Sequence, residues 1–107
     1  MKNILFVCSQ NKLRSPTAES VFSGYPNVNV RSAGLNNNAE VSLGPDDVMW
    51  ADVIFVMEKA HRRKLKNGYK KYLNDQRVVC LDIPDNYEYM DDDLISILKS
   101  VVPRYLT

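Results

Sequence analysis

Residues 2–16, "KNILFVCSQNKLRSP", are the stretch that decides the fold. The run from Ile4 to Cys8 is apolar throughout, as expected of a central parallel strand that is covered on both faces. A polar loop follows, and Ser15 is then placed to act as a helix N-cap with Pro16 at the first helical position. The stretch therefore predicts a strand, a loop and a helix, in that order.

The rest of the chain repeats this alternation. Further strands are predicted in the apolar segments "NVNVRSAG" (27–34), "ADVIFVM" (51–57) and "RVVCLDI" (77–83). Helices are predicted in "SPTAESVFSG" (15–24), "PDDVMWA" (45–51), "EKAHRRKLKNGYKKYL" (58–73, broken near Gly68) and "DDDLISILKSVV" (91–102). The turn-forming residues of "LNNNAEVSLGP" (35–45) predict a loop.

Alternating strands and helices predict an open α/β fold with three layers, α/β/α, around a four-stranded parallel sheet. In such sheets ligands bind outside the carboxyl ends of the strands. The loop after Cys8 follows the first strand, so we expect it to lie at that edge.

Length and composition limit the possible classes of protein. A chain of 107 residues predicts one domain, 1–107, and 45% hydrophobic with 25% charged residues is typical of a globular protein. The formal net charge of +1 gives no global attraction to nucleic acid, so a preference for an anion requires a local site. The predicted helix 58–73 carries six basic residues that are typical of a solvated face, which are Arg62, Arg63, Lys64, Lys66, Lys70 and Lys71. RNA binding through them is an alternative that salt-dependent binding would be needed to support.

Membrane insertion and disulfide bonding are not expected. The apolar run Ile4–Cys8 is too short for a signal-peptide core or a membrane span, which predicts a cytoplasmic protein with no membrane partner. The chain has two cysteines, Cys8 and Cys80, and we expect both to be free thiols in that compartment.

The spacing Cys-x5-Arg between Cys8 and Arg14 indicates an anion site. A loop that leads into a helix N-terminus can direct its backbone N–H groups at one tetrahedral anion, and an arginine can bind two of its oxygens. The same environment stabilises a thiolate, and Ser15 is close enough in sequence to donate to the sulfur. These features predict phosphomonoester hydrolysis through a phosphocysteine, whereas the alternative is an ordinary buried cysteine.

This chemistry also needs an acid for the leaving oxygen. The only histidine, His61, lies inside the basic run, and a Cys–His protease arrangement would require it to reach Cys8, which we do not expect. No metal or organic cofactor is expected.

Four segments together resemble a known family. "ILFVCSQNKLRSPTAE" (4–19) resembles the phosphate-binding loop of the low-molecular-weight protein tyrosine phosphatases, whose motif is C-x5-R-S followed by Pro. "RSAG" (31–34), "ADVIFVMEKAHRRKL" (51–65) and "IPDNY" (83–87) resemble later motifs of that family in the same order. The chain looks like a short version of the family.

The resemblance implies roles for individual residues. It implies Cys8 as nucleophile, Arg14 as phosphate clamp and Asp85 as general acid. It implies that the phosphate is bound by the loop residues Ser9, Gln10, Asn11, Lys12, Leu13 and Arg14. It also implies that Asn11 and Ser15 support the loop, and that Lys12 and Tyr87 line the substrate cleft. The expected partners are a phosphorylated protein or small phosphoester and inorganic phosphate or a similar oxyanion in the loop.

Several positions depart from the family pattern. Gln10 stands where Gly is usual, which predicts difficulty with a positive φ there. Lys12 at the cleft rim favours substrates with extra negative charge, and Leu13 stands where many members have a second, protective cysteine, so Cys8 is expected to be prone to oxidation. Asp85 is followed by Asn86 rather than Pro, which makes Asp82 its nearest rival as the acid.

Other residues and functions have competing interpretations. Asp91 to Asp93 are expected to be first-turn acids of the last helix, and Trp50 is either a wall of the cleft or part of the core. Arsenate reduction on the same fold would need Cys80 as redox partner, but an apolar strand favours a buried, inert thiol there. A non-catalytic phosphate-binding module is the remaining alternative.

Overall fold

The computed structural model describes residues 1–106, so Thr107, the last residue of the predicted domain, lies outside the described residues. The strands are β1 (Lys2–Cys8), β2 (Val28–Gly34), β3 (Val53–Val56) and β4 (Arg77–Cys80). The helices are α1 (Arg14–Phe22), α2 (Pro45–Trp50), α3 (Lys59–Gly68) and α4 (Asp92–Val101), with short 3₁₀ turns at Lys70–Tyr72 and Pro103–Tyr105. The predicted order of elements is confirmed.

The four strands form one parallel sheet in the order β2-β1-β3-β4. The most apolar segments occupy its middle: β3 is buried along its whole length, and β1 is buried from Ile4 to Cys8. This burial is what a parallel strand covered on both faces requires. Strand β1 ends at Cys8, so the following loop lies at the carboxyl edge of the sheet, as predicted.

Helices cover both faces of the sheet, which confirms the three-layer architecture. On one face α1 and α4 pack against Phe6, whose ring stacks on Phe22 at 5.8 Å and on Phe55 at 5.2 Å between centroids. On the other face Val48 of α2 and Leu65 of α3 are buried against the remaining sheet side chains.

The start of α1 differs from the prediction. The helix begins at Arg14, Leu13 occupies the N-cap position, and no side chain caps the helix. Ser15 is not the N-cap because its fully buried hydroxyl lies 2.9 Å from the Cys8 sulfur instead. The loop is therefore closed by the first helical turn itself, which carries both Arg14 and Ser15.

The ends of α3 and α4 agree with the sequence. Helix α3 ends at Gly68, where the break was predicted. Asp91 caps α4 by accepting hydrogen bonds from the N–H groups of Asp93 and Leu94, and Asp92 and Asp93 lie in the first turn. These three aspartates therefore have a structural role at the helix start, as expected. Within residues 1–106 no helix has both the length and the apolar character needed to cross a membrane.

Candidate active site

The loop between β1 and α1 surrounds a cavity of about 100 Å³. Its lining residues are Cys8, Ser9, Gln10, Lys12, Leu13, Arg14 and Asp85. All but Asp85 come from the Cys8–Arg14 segment, and Asp85 comes from the loop after β4. The cavity thus brings together the predicted nucleophile, clamp and acid, which are up to 77 positions apart in the sequence.

Two hydrogen-bond donors surround the Cys8 sulfur. The main-chain N–H of Asn11 donates to Sγ at 3.3 Å, and Ser15 Oγ lies 2.9 Å from it. Ser15 Oγ already accepts a hydrogen bond from Asn11 Nδ2 at 3.1 Å, which leaves the Ser15 hydrogen free to donate to the sulfur. Two donors are therefore placed around the one sulfur that lines the cavity.

Asn11 holds the shape of the loop. Its backbone has a φ of 56°, a left-handed conformation that Asn tolerates better than most residues. Its side-chain amide donates to Ser15 Oγ and to Ser32 Oγ, the latter at 3.0 Å, and the Ser32 hydroxyl donates to Glu19. A chain of hydrogen bonds, in which Asn11 donates in both directions, therefore links the Glu19 carboxylate to the Cys8 sulfur through buried or half-buried groups.

Gln10 does not carry the strain that its sequence position suggested. Among residues 1–106, the left-handed backbone of the loop is at Asn11, and Gln10 is not one of the positive-φ residues. The prediction that Gln10 would hinder a positive φ was therefore wrong, because the loop places its left-handed residue one position later.

The segment after β2 supports the loop from behind. The N–H groups of Leu35, Asn36 and Glu40 donate to the carbonyl oxygens of Cys8, Ser9 and Gln10, in that order, at 2.9–3.0 Å. Gly34 allows this approach, because a Cβ at position 34 would lie 2.7 Å from Ser9 O and 2.5 Å from Ala39 Cβ. The glycine of "RSAG" therefore fixes how closely the loop packs on β2.

Arg14 is buried and held firmly on one side. Its Nη1 donates to Glu58 Oε2 at 2.6 Å and to the carbonyl oxygen of Ile83 at 2.7 Å, and its Nε lies 3.7 Å from Asp85 Oδ1. In the described part of the chain, Arg14 donates hydrogen bonds through Nη1 alone. The N–H groups on Nε and Nη2 remain for a bound oxyanion. The hydrogen bond from Arg14 keeps the pKa of the Glu58 carboxyl below its usual range, so Glu58 stays anionic.

His61 contacts the loop at Ser9 and not at Cys8. Its Nδ1 accepts the main-chain N–H of Glu58 at 3.2 Å, and its Nε2 lies 3.0 Å from Ser9 Oγ. Burial lowers the pKa of His61, and the charge of Arg14 lowers it further. A neutral ring that accepts at Nδ1 carries its proton on Nε2, so Nε2 donates to Ser9. His61 Nε2 thus hydrogen-bonds to the first loop residue after Cys8, a contact that the sequence did not predict.

The structure separates the two candidate acids. Asp85 lines the cavity beside Arg14 and is exposed to solvent, whereas Asp82 lines a neighbouring cavity of about 330 Å³ with Glu58, Lys59 and Pro84 among its neighbours. Asp82 Oδ1 lies 3.7 Å from the sulfur of Cys80. Of the two carboxylates, Asp85 is therefore the one that lines the Cys8 cavity.

Two aromatic residues do not line the Cys8 cavity. Tyr87 is half-buried and packs against the core on the α1 and α4 side of the sheet. Trp50 packs against the core on the other side, and the Arg31 guanidinium lies over its ring at 4.2 Å. These contacts agree with the prediction that Trp50 belongs to the core. No contact of Tyr87 in the described residues supports its predicted role in the substrate cleft.

Cys80 is half-buried, not fully buried as expected. It pairs with Val56 on β3, which in turn pairs with Val7 on β1, so two strand spacings separate Cys80 from β1, roughly 10 Å. Cys8 belongs to the core cluster on one face of the sheet and Cys80 packs against the cluster on the other. A disulfide needs Cα atoms within about 7 Å, so Cys8 and Cys80 cannot pair in this fold.

Residues 1–106 contain no group of three or more His, Cys, Asp or Glu side chains arranged to hold a metal ion.

Comparison with known proteins extends these observations. The family model described as low molecular weight phosphotyrosine protein phosphatase matches residues 3–48, a segment that includes β1, the loop and α1. No match was found among curated protein sequences.

Solved structures share the fold over nearly the whole chain. A YwlE mutant from Bacillus subtilis is 22% identical and superposes with a TM-score of 0.79, covering 100% of both chains. SP-PTP, a low molecular weight protein tyrosine phosphatase from Streptococcus pyogenes, is 17% identical with a TM-score of 0.81 over 100% of this chain and 95% of its own.

The tyrosine phosphatase Wzb from Escherichia coli K30, in complex with phosphate, is 18% identical with a TM-score of 0.78 over 97% of this chain and 95% of its own. The likeness to these structures shows a shared fold, and the family model matches the segment that carries Cys8, Arg14 and Ser15.

Proposed function

We propose that this protein is a phosphomonoester hydrolase of the protein tyrosine phosphatase type, which acts through a phosphocysteine formed on Cys8. The observation that carries the proposal is the single cavity lined by Cys8, Arg14 and Asp85, with two donors on the Cys8 sulfur. A nucleophile, a cation and an acid around one small cavity are the groups that phosphoryl transfer to a thiolate needs.

In the first step the Cys8 thiolate attacks phosphorus, and the S–P bond forms as the P–O bond to the leaving group breaks. The Asp85 carboxylic acid gives its proton to the leaving oxygen. The free N–H groups of Arg14 and the backbone N–H groups of the loop hold the charge on the equatorial oxygens. Because Glu58 and Ile83 fix Nη1, the guanidinium is oriented before the substrate arrives.

In the second step a water molecule attacks phosphorus, and the Asp85 carboxylate takes its proton. The S–P bond breaks, inorganic phosphate leaves and the Cys8 thiolate is regenerated. The hydroxyl of Ser15 stabilises the departing sulfur, since its hydrogen is free to donate. Neither step needs a metal ion or an organic cofactor.

The substrate is proposed to carry negative charge beyond the phosphate. Lys12 lines the cavity and is exposed at its rim, so a second anionic group of a phosphoprotein or small phosphoester would lie near its ammonium group. Phosphate, sulfate and benzylphosphonate are bound in structures of similar proteins, which supports oxyanion binding in this loop. A panel of phosphotyrosine peptides, phosphoarginine and small phosphoesters ranks these substrate classes.

We place the reaction in the cytoplasm, where reducing conditions keep Cys8 free. Arsenate reduction is not favoured, because Cys80 lies two strands away on the opposite face of the sheet. A non-catalytic phosphate-binding module differs from the proposal in one measurable respect, which is that it binds phosphate without turnover.

The test replaces the nucleophile. Cys8→Ser is expected to lose p-nitrophenyl phosphate hydrolysis, by about 10³-fold or more, because a serine hydroxyl is a far weaker nucleophile at neutral pH. It should still bind inorganic phosphate in calorimetry. The matched control is Cys80→Ser, which should hydrolyse like the wild type. Hydrolysis that survives Cys8→Ser would contradict the mechanism.

A further inference from the structure

The first turn of α3 contacts both ends of the loop. Glu58, which precedes the helix, binds Arg14 at the end of the loop, and His61 binds Ser9 at its start. The two residues are also joined to each other. The main-chain N–H of Glu58 donates to His61 Nδ1, and the main-chain N–H of His61 donates to the main-chain carbonyl oxygen of Glu58 at 3.0 Å. The helix start therefore fixes the loop at two points.

The Ser9 hydroxyl has a defined orientation as a result. His61 Nε2 donates to one lone pair of Ser9 Oγ at 3.0 Å. The hydroxyl hydrogen of Ser9 is then free to donate elsewhere, and Ser9 lines the Cys8 cavity. A serine hydroxyl without such a partner can rotate freely. The hydrogen bond from His61 therefore favours the orientation in which the Ser9 hydroxyl hydrogen is available to the cavity.

Charged groups around His61 come from several elements. Arg14 from α1, Asp85 from the loop after β4, and Glu58 and Lys64 from its own helix region all act on the ring. Burial and Arg14 lower the pKa of His61, and Glu58 and Asp85 act in the opposite direction. The ring is nearly inaccessible to solvent and is neutral at neutral pH, which keeps Nδ1 as an acceptor and Nε2 as a donor.

We propose that His61 is a positioning residue that directs the Ser9 hydroxyl at the bound oxyanion, so that Ser9 adds a side-chain donor to the backbone donors of the loop. This inference rests on the proposed function for its kinetic consequence, but its binding consequence stands on inorganic phosphate alone. His61 does not line the Cys8 cavity, so it acts through Ser9.

The test uses two matched substitutions. His61→Asn keeps an acceptor for the Glu58 N–H but is too short to donate to Ser9, whereas His61→Gln extends an amide N–H toward Ser9. His61→Asn and Ser9→Ala are each expected to weaken inorganic phosphate binding and kcat/KM for p-nitrophenyl phosphate by about tenfold to a hundredfold. His61→Gln should stay within about threefold of the wild type, since its side-chain amide retains the donor to Ser9.

A double-mutant cycle separates positioning from folding. The Ser9→Ala, His61→Asn protein should bind phosphate no more weakly than either single variant, because both remove the same donor. Losses that multiply would overturn the proposal, as would a His61→Gln loss equal to that of His61→Asn at an unchanged Tm. If His61→Asn does not fold, Ser9→Ala alone decides, and full phosphate affinity in that variant would overturn the proposal.

Failure of the proposed function gives a different result. A wild-type protein that binds phosphate without hydrolysing the ester contradicts the phosphatase mechanism and leaves the positioning role measurable by binding. A wild-type protein that does not bind phosphate contradicts both.

Discussion

At the level of single residues, the proposed chemistry depends on which side chains the fold brings to the Cys8 cavity. Cys8 and Arg14 are placed there by the loop, and Asp85 enters from a distant segment to within 3.7 Å of Arg14. Cys8 and Arg14 belong to one short segment, so the motif in residues 2–16 was enough to expect them at one site. Asp85 had a close rival in sequence, and only the direction of the loop after β4 separates the two carboxylates.

Asp85→Asn is expected to slow hydrolysis by about 10²–10⁴-fold on phenyl phosphate, whose leaving group needs a proton. The loss should be smaller on p-nitrophenyl phosphate, because that leaving group departs readily as an anion. Steady-state kinetics on both esters measure the difference. Asp82→Asn is the control, since Asp82 faces the neighbouring cavity, and it should leave both rates unchanged. If Asp82→Asn shows the larger leaving-group effect, the acid is Asp82.

At the element scale, the loop is stabilised by the segments that follow β2 and β3. The residues after β2 donate three backbone hydrogen bonds to the loop carbonyls, and the start of α3 binds Ser9 and Arg14. Apolar runs predicted the strands well, since burial on both faces leaves a plain signal in sequence. The start of α1 was predicted wrongly because Ser15 resembles an N-cap by type, while its hydroxyl is used by the sulfur.

Gly34→Ala is expected to lower kcat/KM by about tenfold or more and stability by about 1–3 kcal/mol, because its Cβ would meet Ser9 O and displace the loop. Ester hydrolysis and urea unfolding measure the two effects. Gly24→Ala is the matched control, since a Cβ there has no atom within 4 Å. Wild-type activity and stability in Gly34→Ala would show that the close packing of β2 on the loop is not needed.

At the level of the whole molecule, the contacts that the sequence could not predict are those between distant segments. Glu58 and Arg14 are 44 residues apart and His61 and Ser9 are 52 apart, so local patterns give no sign of either pair. The available sequence signal for these contacts was the polar "EKAH" (58–61) directly after a buried strand. That strand, β3, pairs with β1, so its end lies next to the end of β1. The sequence predicted the parallel sheet without the order of its strands, so His61 was placed in a solvated basic face.

The buried His61 makes stability depend on pH. Its pKa in the folded protein lies below its ordinary value of about 6.5, so the unfolded chain binds the proton first as the pH falls. The free energy of unfolding should therefore decrease as the pH falls below about 6.5 toward the folded-state pKa. Glu58, whose pKa is also lowered, adds a further loss below about 4.5.

Urea unfolding of the wild type and His61→Gln between pH 7 and pH 5 isolates the histidine. The wild type should lose stability more steeply over this range, since glutamine does not titrate. Parallel curves for the two proteins would contradict a buried neutral His61.

The proposed mechanism requires transfer of a phosphoryl group to Cys8, and the most direct test is to trap that intermediate. The Asp85→Asn variant, with its second step slowed, is mixed with p-nitrophenyl phosphate, quenched in acid and analysed by intact-protein and peptide mass spectrometry. We predict one added phosphoryl group, located on Cys8 and absent when Cys8→Ala is combined with Asp85→Asn. Turnover by the wild type with no phosphoryl group on Cys8 of the variant, or with the group on another residue, would rule out the phosphocysteine mechanism.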